Sequence, residues 1–220
     1  GFAAKVETVG RAIMLLGTQQ VHDLVLATSV GKAFEGISNS IMDMQRYWTR
    51  SVHCAVTSRQ LASLYSGCDK ERLFVAGILH DIGHLIMYQT IPELSQRAIL
   101  KAKDSDEPLY EIERGIIGFD YAAAGAELMQ QWSLPESLRE ITMFHPEPEK
   151  AQNYPIETAL VHLGSLLARA DDGEGVFGEG SLTADPSAWA VTGLSPEDCM
   201  SIHDQVTEET TEVMKLICPP

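Results

Sequence analysis

The spacing of apolar residues along the chain predicts a series of α-helices. From residue 6 to residue 170, apolar positions recur every three or four residues, which places them on one face of a helix. Helices are predicted over residues 40–66, 69–85, 92–103, 121–132, 135–145, 156–170 and 195–217. No stretch alternates apolar and polar residues as a half-buried strand does. The predicted fold class is therefore all-α, a compact multi-helix bundle.

Breaks in the pattern divide the chain into three segments. Residues 1–39 hold N-terminal helices, interpreted as the remainder of a truncated helical lead-in, because the chain starts with Gly1 and enters a helical pattern almost at once. Residues 40–170 form the predicted helical core. Residues 171–220 begin with a loop of four glycines and four acidic residues up to position 180, which we expect to be mobile. A C-terminal helix follows and is predicted to pack on the same domain.

Charge and composition exclude several classes of function. The chain has 31 acidic and 16 basic residues, a net charge of −15, which argues against binding the phosphate backbone of DNA or RNA. No apolar run approaches the roughly 20 residues needed to span a bilayer. The four cysteines form no CxxC pair, so reduced thiols in a cytoplasm are the simpler interpretation.

The candidate chemistry lies in the segment AGILHDIGHL, residues 76–85. A buried ionised carboxylate such as Asp81 is unfavourable without a partner, and coordination of a metal by Asp81 and the adjacent His80 would provide one. Imidazole and carboxylate together suit Zn, Fe, Mn or Ni. His84 lies one turn further and could share the same face. The alternative is a buried polar pair held by hydrogen bonds, without a metal.

Other residues receive structural interpretations. Gly77 and Gly83 weaken a helix interior, which predicts close approach of another backbone there. The three tryptophans are predicted to be core anchors: Trp48, Trp132 and Trp189. Three further histidines are interpreted as surface residues or hydrogen-bonded core residues: His22, His162 and His203.

Several blocks in order resemble a known family. They are residues 12–17, 24–30, 48–51, the His80–Asp81 pair, 118–121 (GFDY), 132–135 (WSLP) and 161–169. The pair resembles the signature of the HD superfamily of metal-dependent phosphohydrolases, and the whole set is similar to its HDOD branch, the HD-related output domain of bacterial signalling proteins. The resemblance implies an HD-like core over residues 40–170. It also implies a cytoplasmic regulatory module that contacts other signalling proteins.

The resemblance also implies a metal site and shows where this chain departs from it. His80 and Asp81 match the metal-binding pair, and the further candidate ligands are His53, His84 and His145. Aligned on the family, Arg50 stands at the position of an upstream histidine, Tyr121 at that of another histidine and Ser165 at that of a late aspartate. The site is therefore interpreted as degraded, able to hold at most one divalent transition metal. Arg50 is expected to neutralise Asp81 or to hold a phosphate or carboxylate.

Two functions remain open at this point, with a third as a weaker option. The first is a non-catalytic signalling module that needs no cofactor. The second is a metal-dependent phosphohydrolase of nucleotides or cyclic dinucleotides, in which Asp81 would ligate the metal that activates the attacking hydroxide. The third is a sensor that binds a small ligand in the altered pocket. The loss of ligands at Arg50, Tyr121 and Ser165 favours the first.

Overall fold

A computed structural model describes residues 41–65 and 67–217 of the chain. Within these ranges the fold is all-helical and contains no strand, as predicted. The α-helices are α1 (Met44–Leu64), α2 (Lys70–Leu79), α3 (Ile82–Thr90), α4 (Pro92–Lys103), α5 (Leu109–Ile117), α6 (Tyr121–Gln131), α7 (Glu136–Phe144), α8 (Pro155–Asp171), α9 (Pro186–Thr192), α10 (Pro196–Ser201) and α11 (His203–Ile217). Short 3₁₀ turns lie at Pro148–Lys150 and Gly180–Leu182.

Side-chain caps explain where several helices begin. The carboxylate of Asp43 accepts the backbone N–H of Gln45 at 2.8 Å at the start of α1, and Asp69 has the same role for α2. At the start of α10, Ser195 and Asp198 form a reciprocal capping box. These bonds satisfy donors that the first turn of a helix leaves without intrahelical partners.

Most predicted helices are present, but four regions differ. The prediction over 92–103 is confirmed as Pro92–Lys103. The sequence pattern missed α5 and α9, which are nine and seven residues long and give a helical period little room to repeat. The predicted last helix is divided into α10 and α11 at Ile202, and the predicted helix over 69–85 is divided into α2 and α3.

Helix α1 lies at the centre of the core. It packs against α2, α8 and α11, and its side chains Val52, Ala55 and Leu61 are fully buried. Trp48 is buried, as predicted for a core anchor. The same prediction is wrong for Trp132, which is 42% exposed because it stands in the turn that ends α6, next to Ser133 at φ +55°. Burial of apolar surface, to which α1 contributes these side chains, is the dominant favourable term in folding.

Two glycines let helix backbones touch. A Cβ atom on Gly77 would clash with the backbone of Ala55 in α1, and one on Gly83 would clash with the carbonyl of Tyr121 and the amide of Gly125 in α6. The prediction of close approach at both glycines is confirmed. Gly83 therefore brings α3 and α6 together next to the His80–Asp81 pair.

The C-terminal helix contacts the centre of the bundle. Glu209 of α11 accepts bonds from Arg59 at 2.5 Å and from Gln60 at 2.6 Å, both in α1. The proposed division of the chain into three segments stays a prediction, and the N-terminal helices predicted before residue 40 lie outside the described residues. In the part of the chain that the structure covers, no helix combines the length and the apolar character that crossing a membrane requires.

We expect Gly83→Ala to destabilise the protein by more than about 2 kcal/mol, because the added methyl group would push the α3 and α6 backbones apart. The measurement is urea denaturation followed by circular dichroism.

The matched control is Gly115→Ala, in α5, where a Cβ atom would meet no atom within 4 Å. Alanine is the better helix former, so this variant should range from neutral to about 1 kcal/mol more stable. Equal effects of the two substitutions would show that backbone contact at Gly83 does not limit stability.

Candidate functional site

The His80–Asp81 pair lies at the junction of two helices. His80 is the C-cap residue that follows α2, and Asp81, with φ −105° and ψ 9°, precedes α3. The prediction that both lie within one helix is wrong. The side chain of His80 bonds the carbonyl of Gly77, and that of Asp81 bonds His84, each three residues away. These bonds compete with the regular backbone hydrogen bonds of a helix. The expectation that both point inward is confirmed, since His80 is buried and the Asp81 side chain is 15% exposed.

Hydrogen bonds fix the tautomers of His80 and His145. Nδ1 of His80 lies 2.7 Å from the carbonyl of Gly77, and Nδ1 of His145 lies 2.8 Å from that of Thr142. A carbonyl only accepts, so each Nδ1 carries a proton and each Nε2 has a lone pair. Burial lowers the pKa of both imidazoles, which are therefore neutral. The centroids of the His80 and His145 rings are 5.1 Å apart, and the rings meet edge to face.

The hydroxyl of Tyr121 is hydrogen-bonded to the Nε2 lone pair of His145. Its hydroxyl lies 3.1 Å from Nε2 of His145, and since that nitrogen can only accept, the hydroxyl donates. The Tyr121 ring also stacks on the imidazole of His84, with the centroids 4.0 Å apart and the planes 15° from parallel. Tyr121 therefore fills the space between two of the candidate ligands.

His84 is a buried cation. Its Nδ1 lies 2.5 Å from a carboxylate oxygen of Asp81, and its Nε2 lies 3.2 Å from one of Glu113. Burial alone would lower the pKa of His84, but the two carboxylates raise it to about 10. Both ring nitrogens therefore donate and neither has a lone pair for a metal. The same pairing holds the pKa of Asp81 well below its usual range, although burial would raise it.

Glu113 is a residue of the site that was not predicted from the sequence. This residue of α5 is 0% exposed, and its second carboxylate oxygen accepts the backbone N–H of Tyr121 at 3.0 Å. A signal for it exists in the sequence, because Glu113 lies one turn from both Leu109 and Ile117, on the apolar stripe of the helix. An acid on such a stripe indicates a buried partner of opposite charge.

Arg50 and His53 face the end of α8 and the segment that follows it. Nη1 of Arg50 lies 2.7 Å from Glu174, and Nε2 of His53 lies 2.7 Å from Asp171. Burial works against the charge of Arg50, but Asp81 and the acids of that segment raise the pKa of Arg50 above its usual value. Arg50 thus contributes positive charge beside Asp81, while His53 is directed towards Asp171.

Four of the predicted ligands, His80, Asp81, His84 and His145, lie near one another, but the set does not fit a metal ion in this arrangement. His84 is a cation, His145 accepts from Tyr121, and His53 is bonded to Asp171. In the described ranges, no group of three or more His, Cys, Asp or Glu residues is placed to hold a metal. The role of His80, Asp81 and the other candidates as metal ligands stays a prediction.

His162 is a buried residue with both nitrogens bonded, as interpreted from the sequence. Its Nδ1–H donates to the carbonyl of His145 at 2.8 Å, and its Nε2 accepts the backbone N–H of Asp185 at 3.0 Å. Burial lowers the pKa of His162. The side chain joins α8 to the end of α7 and to the start of α9, and it does so in the neutral form.

We expect His84→Gln to destabilise the protein by about 3–5 kcal/mol at pH 7, because the carboxylates of Asp81 and Glu113 would remain buried without their cation. Chemical denaturation measures the loss.

His203→Gln is the control, since His203 pairs with Asp171 at a site where its side chain is 35% exposed. This variant should lose less than about 1 kcal/mol. A comparable loss in both variants would contradict a special role for the buried imidazolium.

The lowered pKa of His162 predicts that the protein loses stability in acid. The folded-state pKa of His162 lies below its unfolded value, so the unfolded chain binds the proton first as the pH falls. The stabilising contribution is complete above the unfolded pKa of about 6.5 and declines below it. His162→Gln, which keeps an acceptor for Asp185, should lose less stability than the wild type between pH 7.5 and pH 5 in urea titrations. Parallel losses would rule out this contribution.

Comparison with known proteins shows where this fold occurs. A protein of Shewanella amazonensis SB2B, provisionally named a phosphohydrolase, is 24% identical with a TM-score of 0.78, over 97% of this chain and 78% of its own. A protein of Marinobacter aquaeolei VT8 with a provisional signal-transduction name is 21% identical with a TM-score of 0.79, over 98% of this chain and 48% of its own. An HDOD domain protein of unknown function from Geobacter sulfurreducens is 19% identical with a TM-score of 0.77, over 98% and 77%.

These likenesses show the shared fold. No curated protein matches the sequence. The HDOD domain family matches residues 1–148 of the 220, which is more than half of the chain and includes the His80–Asp81 pair. The chain therefore belongs to the HDOD domain family.

Proposed function

We propose that the chain is a regulatory module of HDOD type, which acts through contacts with other signalling proteins and does not hydrolyse phosphate esters. The observation that carries this proposal is the bond of 2.5 Å between Asp81 and the His84 imidazolium. A metal ion at this carboxylate would have to compete with that cation. His84 is also bonded to buried Glu113. Moving the imidazolium away from the site would therefore leave the Glu113 carboxylate buried without a counter-charge.

The departures from the family pattern support the same proposal. Arg50 stands where the family resemblance implies a histidine ligand, and a guanidinium has no lone pair to donate to a metal. The hydroxyl of Ser165 donates to the carbonyl of His162 at 2.9 Å, at the position where the resemblance implies an aspartate. A pair of ions that clamp the attacking and leaving oxygens needs more oxygen and nitrogen ligands than remain.

A comparison with solved structures is consistent with a role as one module of a larger protein. The similar protein of Marinobacter aquaeolei has a signal-transduction name, and this chain spans about half of its length. In such a module, Asp81 would stabilise the fold, and the surface of the module would bind other signalling proteins. The alternative, a metal-dependent phosphohydrolase, is an outcome that the assay below would detect.

We expect no turnover of bis(p-nitrophenyl) phosphate, cyclic dinucleotides or nucleoside triphosphates above the level of an Asp81→Asn variant. The assay is run with Mn²⁺ and, under anaerobic conditions, with Fe²⁺, because both suit imidazole and carboxylate ligands. Circular dichroism confirms that each protein is folded. Metal-dependent turnover that Asp81→Asn abolishes would overturn the proposal in favour of a hydrolase.

Partner binding supplies the second part of the test. A tagged chain is cross-linked in a bacterium that encodes it, and the captured proteins are compared between the wild type and Asp81→Asn. The expected result is the same set of signalling proteins in both samples, because Asp81 lies inside the bundle. A folded Asp81→Asn variant that loses these partners would show that the acidic group takes part in signalling directly.

A further inference from the structure

Three arginines from two helices meet two acidic residues beside the His80–Asp81 junction. Arg46 and Arg50 lie one turn apart on α1, and Arg169 lies near the end of α8. Glu174 contacts Nη1 of Arg50 at 2.7 Å through one oxygen and Nε of Arg169 at 2.8 Å through the other. Asp172 contacts Nε of Arg46 at 2.6 Å and Nε of Arg50 at 3.7 Å. Two neighbouring anionic groups thus share Arg50.

A tight turn after α8 places the acidic residues. The N–H of Glu174 bonds the carbonyl of Arg169 at 3.0 Å, and that of Gly173 bonds the carbonyl of Ala170 at 3.0 Å. These two bonds form a Schellman motif, with Gly173 at φ +81° in the left-handed region that glycine favours. The backbone of Glu174 is therefore fixed beside the arginines, while its side chain can still rotate about its own bonds.

We propose that Arg46, Arg50 and Arg169 bind a ligand with two linked anionic groups of the diphosphate type, and that Asp172 and Glu174 occupy this site as internal ligands. A guanidinium presents paired N–H donors that match phosphate oxygens as well as carboxylate oxygens. The carboxylates of Asp172 and Glu174 supply two anionic groups side by side, as a diphosphate does.

The charge of the cluster favours exchange of one anion for another. Three guanidinium groups face two carboxylates, and these five side chains are between 20% and 49% exposed. Ions in solution can therefore reach them. The arginines hold the pKa of Glu174 below its usual value, although burial would raise it, so this internal ligand stays ionised at neutral pH. Neighbouring Asp171 is outside the set, because it is bonded to His53 and His203.

Tethering makes the two carboxylates effective competitors. Ion pairs with this degree of exposure are individually weak. They nevertheless reform easily because the turn keeps the acids next to the arginines at an effective concentration in the millimolar range or above. Removing the two negative charges should therefore uncover an affinity for external anions that the wild type masks.

The experiment is isothermal titration of inorganic pyrophosphate, without metal and at low ionic strength, into the wild type and an Asp172→Asn/Glu174→Gln variant. We expect the variant to bind pyrophosphate at least about tenfold more tightly. Adding Arg50→Gln to that variant should abolish the gain, because Arg50 is shared by both anionic positions. Circular dichroism checks folding, and Glu174→Gln alone provides a second variant if the double one does not fold.

Two controls test the chemistry. Glu179→Gln removes one negative charge from the same segment at a residue outside these ion pairs, and it should leave the affinity of the wild type unchanged. Orthophosphate, with one anionic group, should bind the Asp172→Asn/Glu174→Gln variant at least about tenfold more weakly than pyrophosphate, as expected when two linked groups bind together. Equal binding of the two anions would overturn the diphosphate assignment.

Other outcomes would also overturn the proposal. Equal pyrophosphate affinity of the wild type and the double variant would show that Asp172 and Glu174 are not internal ligands. A gain that survives Arg50→Gln would place the anion elsewhere. The inference does not depend on the proposed regulatory role, because the titration measures binding. Turnover of phosphate esters would contradict the regulatory role and leave the result of the titration unchanged.

Discussion

The buried imidazolium of His84 is the interaction on which the structure around the HD pair depends. It is bonded to Asp81 at the junction of α2 and α3 and to Glu113 in α5, and it stacks on Tyr121 at the start of α6. A charge in the core is tolerated when partners of opposite sign surround it. The geometry of four helices is thus tied to one side chain. A metal ion at Asp81 would have to compete with the bond between Asp81 and His84.

The helical framework could be predicted from the sequence because burial of one helix face leaves a local period. The close contacts at Gly77 and Gly83 could also be predicted, since glycine in a helix interior has a recognisable cost. The break at Asp81 could not be predicted, because it depends on side-chain bonds that a hydrophobic period does not record. The partner of His84 is Glu113, 29 positions further along the chain, and its placement requires the tertiary fold.

Charge pairing over long separations leaves still less trace in a sequence. Residues 171–180 suggest a mobile acidic loop by composition, yet Asp172 and Glu174 have specific partners more than 120 positions earlier, Arg46 and Arg50. In the sequence, Arg46 looks like an ordinary surface residue of a long helix, and Arg50 is singled out only for Asp81 or for a phosphate or carboxylate group. Only the fold places the end of α8 beside α1 and so brings the two groups together.

The contact of Gly83 with the α6 backbone and the pairing of His84 bear on what an HD signature in a genome sequence means. Within the HD segment, Asp81, Gly83 and His84 have architectural tasks here that do not require turnover. Selection for folding alone can then keep a signature in place after its chemistry is gone. The signature alone therefore does not indicate that a protein cleaves phosphate esters. In this chain the histidine after the pair is held by a buried acid on a distant helix, Glu113, and that contact is a structural role the signature does not reveal.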